Sequence, residues 1–152
     1  AYKLLTSIEF PGWGYSVVNG ATTIWERWDG YTKEQGIKEG MNSFNHYSFG
    51  SCVEWMYEYC LGIRQVEPYG FKAVKFSPVF DTSGRITHAR GSYLTDYGKI
   101  FVAWEKREDG FMYTVKLPPE IKADFELGNY EIISFEREKG AYSFLCKSNN
   151  RE

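Results

Sequence analysis

Ile86-Thr87-His88-Ala89-Arg90-Gly91-Ser92-Tyr93-Leu94-Thr95, then Asp96-Tyr97-Gly98, then Lys99-Ile100-Phe101-Val102-Ala103-Trp104-Glu105-Lys106. Two extended runs joined by a tight turn decide the fold class of this half of the chain. Period-two alternation bounded by turn residues is the signature of a half-buried strand. The same texture extends in both directions. Strands are expected over Lys72 to Phe80, Phe111 to Leu117, Ile121 to Phe125, Asn129 to Phe135 and Ala141 to Cys146. Turns fall at Asp81-Thr82-Ser83-Gly84, Glu108-Asp109-Gly110, Leu127-Gly128-Asn129 and Lys139-Gly140. Roughly seven strands at about ten-residue spacing indicate an antiparallel β-sandwich, jelly-roll-like in its rhythm.

Upstream of Glu67-Pro68 the texture is different. Ala1 to Glu9 reads as a helix already under way, with Leu4, Leu5 and Ile8 on one face and no capping residue in front. That is how a piece cut from a larger chain begins, and targeting information would then lie upstream. Pro11-Gly12-Trp13-Gly14 stops the helix, and a short turn of helix fits Tyr15 to Asn19. A polar loop, Gly30 to Asn42, is long for a connection. A second helix is expected from Asn45-His46 to Leu61. Only Ser51, Glu54 and Glu58 make a polar stripe along it. A helix apolar around most of its circumference belongs inside a layer of other helices. The chain therefore reads as an α+β fragment, with a helical remnant over 1–66 and a complete β domain over 67–152. The cut helices would expose apolar faces able to drive self-association.

Between the two helical stretches lies Ala21-Thr22-Thr23-Ile24-Trp25-Glu26-Arg27-Trp28-Asp29-Gly30. Thr22, Thr23 and Ile24 favour extended backbone. An extended or irregular segment would gather aromatic and charged groups in one place. Sugar clefts are often built so, with indoles against ring faces and charged groups on hydroxyls. A tryptophan-rich packing corner with an Arg–carboxylate pair would have the same composition.

The 152 residues suffice for a proper core, and a net charge of -2 leaves no electrostatic footprint for nucleic acid or a membrane surface. Aromatic residues make up 18% of the chain, which suits a binding cleft or a tightly packed β domain. Cys52 and Cys60, about 12 Å apart along a helix, are too distant for a disulfide. With Cys146 they read as free thiols. His46 and His88 lack metal-ligand spacing, so no metal is expected, and no phosphate loop or nucleophile motif is present. Carboxylate acid–base chemistry remains. Glu26, flanked by indoles, is its foremost candidate.

Three motifs then occur in order: Pro11-Gly12-Trp13-Gly14-Tyr15, the run from Gly20 to Asp29, and Asn42-Ser43-Phe44-Asn45-His46-Tyr47 followed by Gly50 and Glu54-Trp55. Together they resemble the end of the catalytic domain of bacterial α-L-rhamnosidases, glycoside hydrolase family 78. The Ile86 to Thr95 and Tyr97 to Lys106 stretches are similar to that family's C-terminal β domain. The resemblance implies the end of an (α/α)6 barrel followed by a β-sandwich. It implies hydrolysis of terminal α-L-rhamnosides with inversion and no cofactor. It implies Glu26 as general base and His46 as a contact to the bound sugar. Trp25 and Trp28 would support the site or touch substrate, and Arg27 and Asp29 would orient the loop. The family's general acid lies in earlier barrel segments. Until the residues are placed, Glu26 could equally form an ion pair with Arg27, and His46 could simply cap its helix. A non-catalytic carbohydrate-binding or structural β-sandwich module is the alternative for the whole.

Overall fold

A computed structural model describes residues 1–66, 68 and 70–149. The chain divides into two compact units, Ala1–Glu54 and Trp55–Glu152.

The first unit contains two short helices, α1 (Tyr2–Thr6) and α2 (Trp13–Val18), and a two-stranded ribbon of β1 (Tyr31–Thr32) and β2 (Gly36–Ile37). The helix expected over 1–9 is cut to α1. Ser7 turns extended, and backbone contacts at Gly12 and Gly14 bring the chain back across Ser7. Leu4 and Ile8, read as one apolar face, are both exposed, as are Phe10, Val17 and Val18. The helix expected from residue 46 begins in this unit as a 3-10 turn, Tyr47–Ser51, and continues into α3 (Cys52–Trp55). A π turn, Met56–Cys60, opens the second unit. The helical character over 47–60 agrees with the sequence reading. Its change of winding, from tight to wide, is a correction.

The second unit is a sandwich of two sheets. One has five antiparallel strands, β5 (His88–Thr95), β6 (Gly98–Arg107), β7 (Gly110–Lys116), β9 (Tyr130–Glu138) and β10 (Ala141–Ser148), in the order β5-β6-β7-β10-β9. The other has β3 (Ile63–Gln65), β4 (Ala73–Phe76) and β8 (Lys122–Phe125), in the order β3-β4-β8. Every strand read from the sequence is present. The strand read over 72–80 ends at Phe76, because Pro78, lacking an N–H, follows two residues later. The strictly antiparallel expectation needs correction: β4 and β8 run parallel, Val74 opposite Ala123 and Phe76 opposite Phe125.

Alternation places Ile100, Val102 and Trp104 of β6 and Phe111, Tyr113 and Val115 of β7 inside, against Val74 and Phe76 of β4. Phe80 sits among Trp104, Phe111, Tyr113 and Tyr130, with ring centroids 4.7 to 5.7 Å away. Two core aromatics also act through their polar tips. Trp104 Nε1 donates to the Cys60 carbonyl at 2.9 Å, and Tyr113 Oη donates to the Leu61 carbonyl at 2.8 Å. These carbonyls end the helical run, where backbone acceptors lose their partners. Gly62 follows with φ of 78°, and a Cβ there would lie 2.4 Å from Pro78 N, so no side chain fits. All three cysteines are free thiols. Burial pushes Cys146 up to about 11, so it stays protonated and inert.

Asp81 is 2% exposed and anchors the turn the sequence marked at 81–84. Its Oδ1 accepts from Ser83 N at 3.0 Å and from Ser83 Oγ, and its Oδ2 accepts from Ile86 N at 2.7 Å. Burial pushes its pKa up, but these bonds and one from the Arg85 backbone outweigh that and hold it below the usual carboxylate value. A depressed folded pKa contributes stability above the unfolded pKa of about 4, and this is lost as pH falls through the folded value. Asp81→Ala should cost about 3 kcal/mol at pH 7. Thermal melts followed by circular dichroism should show the gap between parent and variant closing as the pH is lowered below about 4.

Candidate active site

Residues 21–30 form neither helix nor strand. The run is held in place by a second irregular segment hydrogen-bonded to it. Glu26 N donates to Ser43 O at 2.8 Å and His46 N donates to Ile24 O at 2.8 Å. Thr23 Oγ1 donates to Phe44 O. The ladder therefore sets residues 23–26 against residues 43–46, two of the three motifs singled out in the sequence.

Glu26 is half-buried. Its Oε2 accepts the Ser43 N–H at 2.8 Å, so backbone fixes both ends of the residue. Among the described residues no cation pairs with it. The neighbouring Arg27 turns instead to Asp29 Oδ1, 3.5 Å from its Nε, and Lys38 Nζ bonds Asp29 Oδ2. The Lys38 hydrogen bond, opposed by burial and aided by the charges of Lys38 and Arg27, holds Asp29 below its ordinary pKa. Of the two carboxylates in the run, Asp29 takes both of these cations.

His46 caps the 3-10 turn, its Nδ1 accepting the Ser48 N–H at 3.4 Å. In the neutral ring this leaves the proton on Nε2, so the outer edge of the imidazole is a hydrogen-bond donor. Capping and ligand contact are therefore compatible roles, one for each nitrogen.

The two indoles pack. Trp25 is 7% exposed and lies edge-on to Phe44, at 5.2 Å, and to Tyr31, at 6.3 Å. Trp28 stacks on Phe49 at 5.3 Å, and Trp13 closes the triangle at 6.0 and 5.7 Å. Ser16 Oγ ties α2 to the run by donating to Trp28 O at 3.0 Å. Trp25 and Trp28 flank Glu26 in sequence, and each packs against other aromatic rings.

The loop read over 30–42 contains the β1–β2 ribbon, Tyr31 opposite Ile37 and Thr32 opposite Gly36. The ribbon returns Lys38 to Asp29 and lets Lys38 N donate to Gly30 O at 2.9 Å. Asn42 Nδ2 donates to the same carbonyl at 2.8 Å. Gly30 is buried so close to the Asn42 amide that a Cβ would lie 2.6 Å from Oδ1. Asn42 Oδ1 and Trp28 Nε1 are buried without partners among the described residues. Sequence reasoning did not single out Ser43, Lys38 or Asn42 as site residues. Ser43 acts through its backbone, and Lys38 lies nine residues from its partner. The quoted motif containing Asn42 and Ser43 was the available signal.

Residues 1–60 match the model of the bacterial α-L-rhamnosidase six-hairpin glycosidase domain, and residues 62–138 match that of the bacterial α-L-rhamnosidase C-terminal domain. The α-L-rhamnosidase of Alteromonas sp. (strain LOR) is 43% identical over 125 residues, 82% of this chain and 13% of that protein. One from Formosa agariphila is 39% identical over 127 residues, 83% of this chain and 13% of that protein. The crystal structure of Streptomyces avermitilis α-L-rhamnosidase complexed with L-rhamnose matches with a TM-score of 0.73 at 35% identity, over 97% of this chain and 15% of that one. The chain therefore spans about 13% of the length of the curated relatives it matches. It belongs to the bacterial α-L-rhamnosidase family, carrying sequence from the six-hairpin glycosidase domain and from the C-terminal domain that follows it.

Proposed function

We propose that this chain supplies the general base, Glu26, to an inverting glycoside hydrolase that cleaves terminal α-L-rhamnosides. The carrying observation is the setting of Glu26: fixed by the Ser43 N–H, half-buried, and without a cation partner among the described residues because Arg27 and Lys38 are committed to Asp29. Such a carboxylate can take a proton from water as that water attacks the anomeric carbon. In an inverting pair the acid stands about 6.5–9.5 Å away, across the sugar, leaving room for the water. Asp29 is unsuited to be that acid. A general acid must hold a proton near neutral pH, and Asp29 is shifted the other way. The acid therefore comes from another part of the parent protein, along with most of the sugar pocket. His46, on the strip beside Glu26, donates through Nε2 to a sugar hydroxyl. The exposed apolar side chains of the first unit, among them Leu4, Ile8, Phe10 and Val17, are the faces that further barrel helices would cover.

The test is direct. This chain alone should release no aryl alcohol from a p-nitrophenyl α-L-rhamnoside, whereas the same chain joined to the rest of its barrel should turn it over. Turnover by the chain alone, abolished by Glu26→Gln, would show that an acid lies within it after all.

A further inference from the structure

In the sandwich unit a cleft of about 320 Å³ opens at one end of the three-stranded sheet. Its walls are Arg64 of β3, Ser77 and Pro78 after β4, and Glu126, Gly128 and Asn129 between β8 and β9. We propose that this cleft is a binding site for a single neutral sugar ring. The inference is independent of the reading of Glu26.

Each wall is fixed by backbone. Ser77 N donates to Gly62 O at 2.9 Å, Val79 N to Tyr59 O at 2.8 Å and Glu126 N to Phe76 O at 2.9 Å. Arg64 is held twice, its guanidinium 4.3 Å over the Tyr59 ring and its Nε donating to Glu58 O at 3.2 Å. That leaves the terminal N–H groups of the fork without a carboxylate among the described residues. A side chain already ordered loses little entropy when it binds.

The polar inventory fits hydroxyls. Arg64 donates, and Glu126 accepts, its Oε2 steadied by Lys75 at 3.2 Å. The Asn129 amide does both. Ser77 adds its backbone to the wall, and its Oγ is buried without a hydrogen-bond partner among the described residues. Each hydroxyl of a sugar gives one hydrogen bond and accepts others, so it suits a wall that alternates donors and acceptors. Lys75 offsets the charge of Glu126, and the Arg64 fork is left to donate to hydroxyls. The volume is at the small end for ligand sites, enough for one ring. No exposed indole lies in the cleft to stack on that ring, so affinity should be on the order of millimolar.

Amide NMR shifts of the full chain, titrated with methyl α-L-rhamnoside, D-galactose, glycerol and inorganic phosphate, test this. At least one of the two sugars should saturate shifts at Gly62, Ser77, Gly128 and Asn129 below about 100 mM. Asn129→Ala, at an exposed position, and Arg64→Ala should each weaken binding by about tenfold, one hydrogen-bonding partner's worth, with the remaining spectrum unchanged. Four outcomes would overturn the proposal: no saturation by either sugar, a response to phosphate in place of sugar, glycerol binding as tightly as a ring, or unaltered binding in both variants. Because none of these readouts involves hydrolysis, their failure leaves the general-base proposal standing, and the reverse.

Discussion

Glu26→Gln, made in the complete enzyme, should lower kcat by about 10²- to 10⁴-fold while changing KM little. Glutamine preserves the volume of the side chain and keeps an oxygen for the Ser43 N–H, the 2.8 Å bond that orients the carboxylate. Ladder and indole packing should therefore survive. What is lost is the ability to accept a proton from the attacking water, an interaction made only as the bond to the sugar forms. A purely structural Glu26 would predict the opposite pattern, near-normal kcat with lower thermal stability. Kinetics on a p-nitrophenyl α-L-rhamnoside, with a melting curve for each protein, separate the two. Glu26→Ala gives a sharper version. Azide is a small anionic nucleophile that needs no deprotonation, so it should restore release of the aryl group and leave a glycosyl azide of inverted configuration. A kcat within a few-fold of the parent, or no azide product, would remove Glu26 from the chemistry.

Much of this arrangement can be read from residue order, and the parts that cannot share a physical cause. The strands of the second unit announce themselves because side chains alternate with period two and every connection carries Asp, Gly or Pro. β3 escaped the reading because three residues, Ile63–Gln65, are too few to show a period. The parallel pairing of β4 with β8 escaped it because strand direction within a sheet is set by distant partners. The helical run over 47–60 was legible as helix, but its tight and wide turns were not. Apolar residues around most of its circumference leave no single stripe whose repeat could be measured. In the site, the Trp-Glu-Arg-Trp order identified Glu26 as unusual. The assignment of charges was hidden. Adjacent Glu26 and Arg27 suggest a pair, whereas the β1–β2 ribbon delivers Lys38 to Asp29 and draws Arg27 the same way. Ser43 was invisible for a simpler reason: its contribution is a backbone N–H that any residue there would provide.

Trp104→Ala should be the most damaging single truncation in the sandwich, costing about 3–5 kcal/mol for the lost ring alone. The indole is 1% exposed and packs edge-on to Phe80 and Phe111, at 5.6 and 5.8 Å. A second loss adds to the cavity. Without Nε1 the Cys60 carbonyl is left buried at the end of the helical run with its side-chain donor gone. Losing that hydrogen bond costs about 0.5–1.5 kcal/mol more. Against a total stability of about 5–15 kcal/mol, this takes the unit close to unfolding at 37 °C. Two milder variants apportion the effect. Trp104→Phe retains most of the ring and removes the hydrogen bond. Tyr113→Phe does the same to the neighbouring Leu61 carbonyl, 2.8 Å from the hydroxyl. Each should cost about 1–2 kcal/mol, and together they should cost measurably more or less than their sum, because the two carbonyls belong to adjacent residues of one chain turn. Circular dichroism melts should place the Phe variants about 5–10 °C below the parent and Trp104→Ala about 15–30 °C below it. If Trp104→Ala melted within about 5 °C of the parent, the sheet would not be gripping the helical run through its aromatic tips. The core would then be held by its other buried side chains, Ile100, Val102, Val115, Val74 and Phe76 among them.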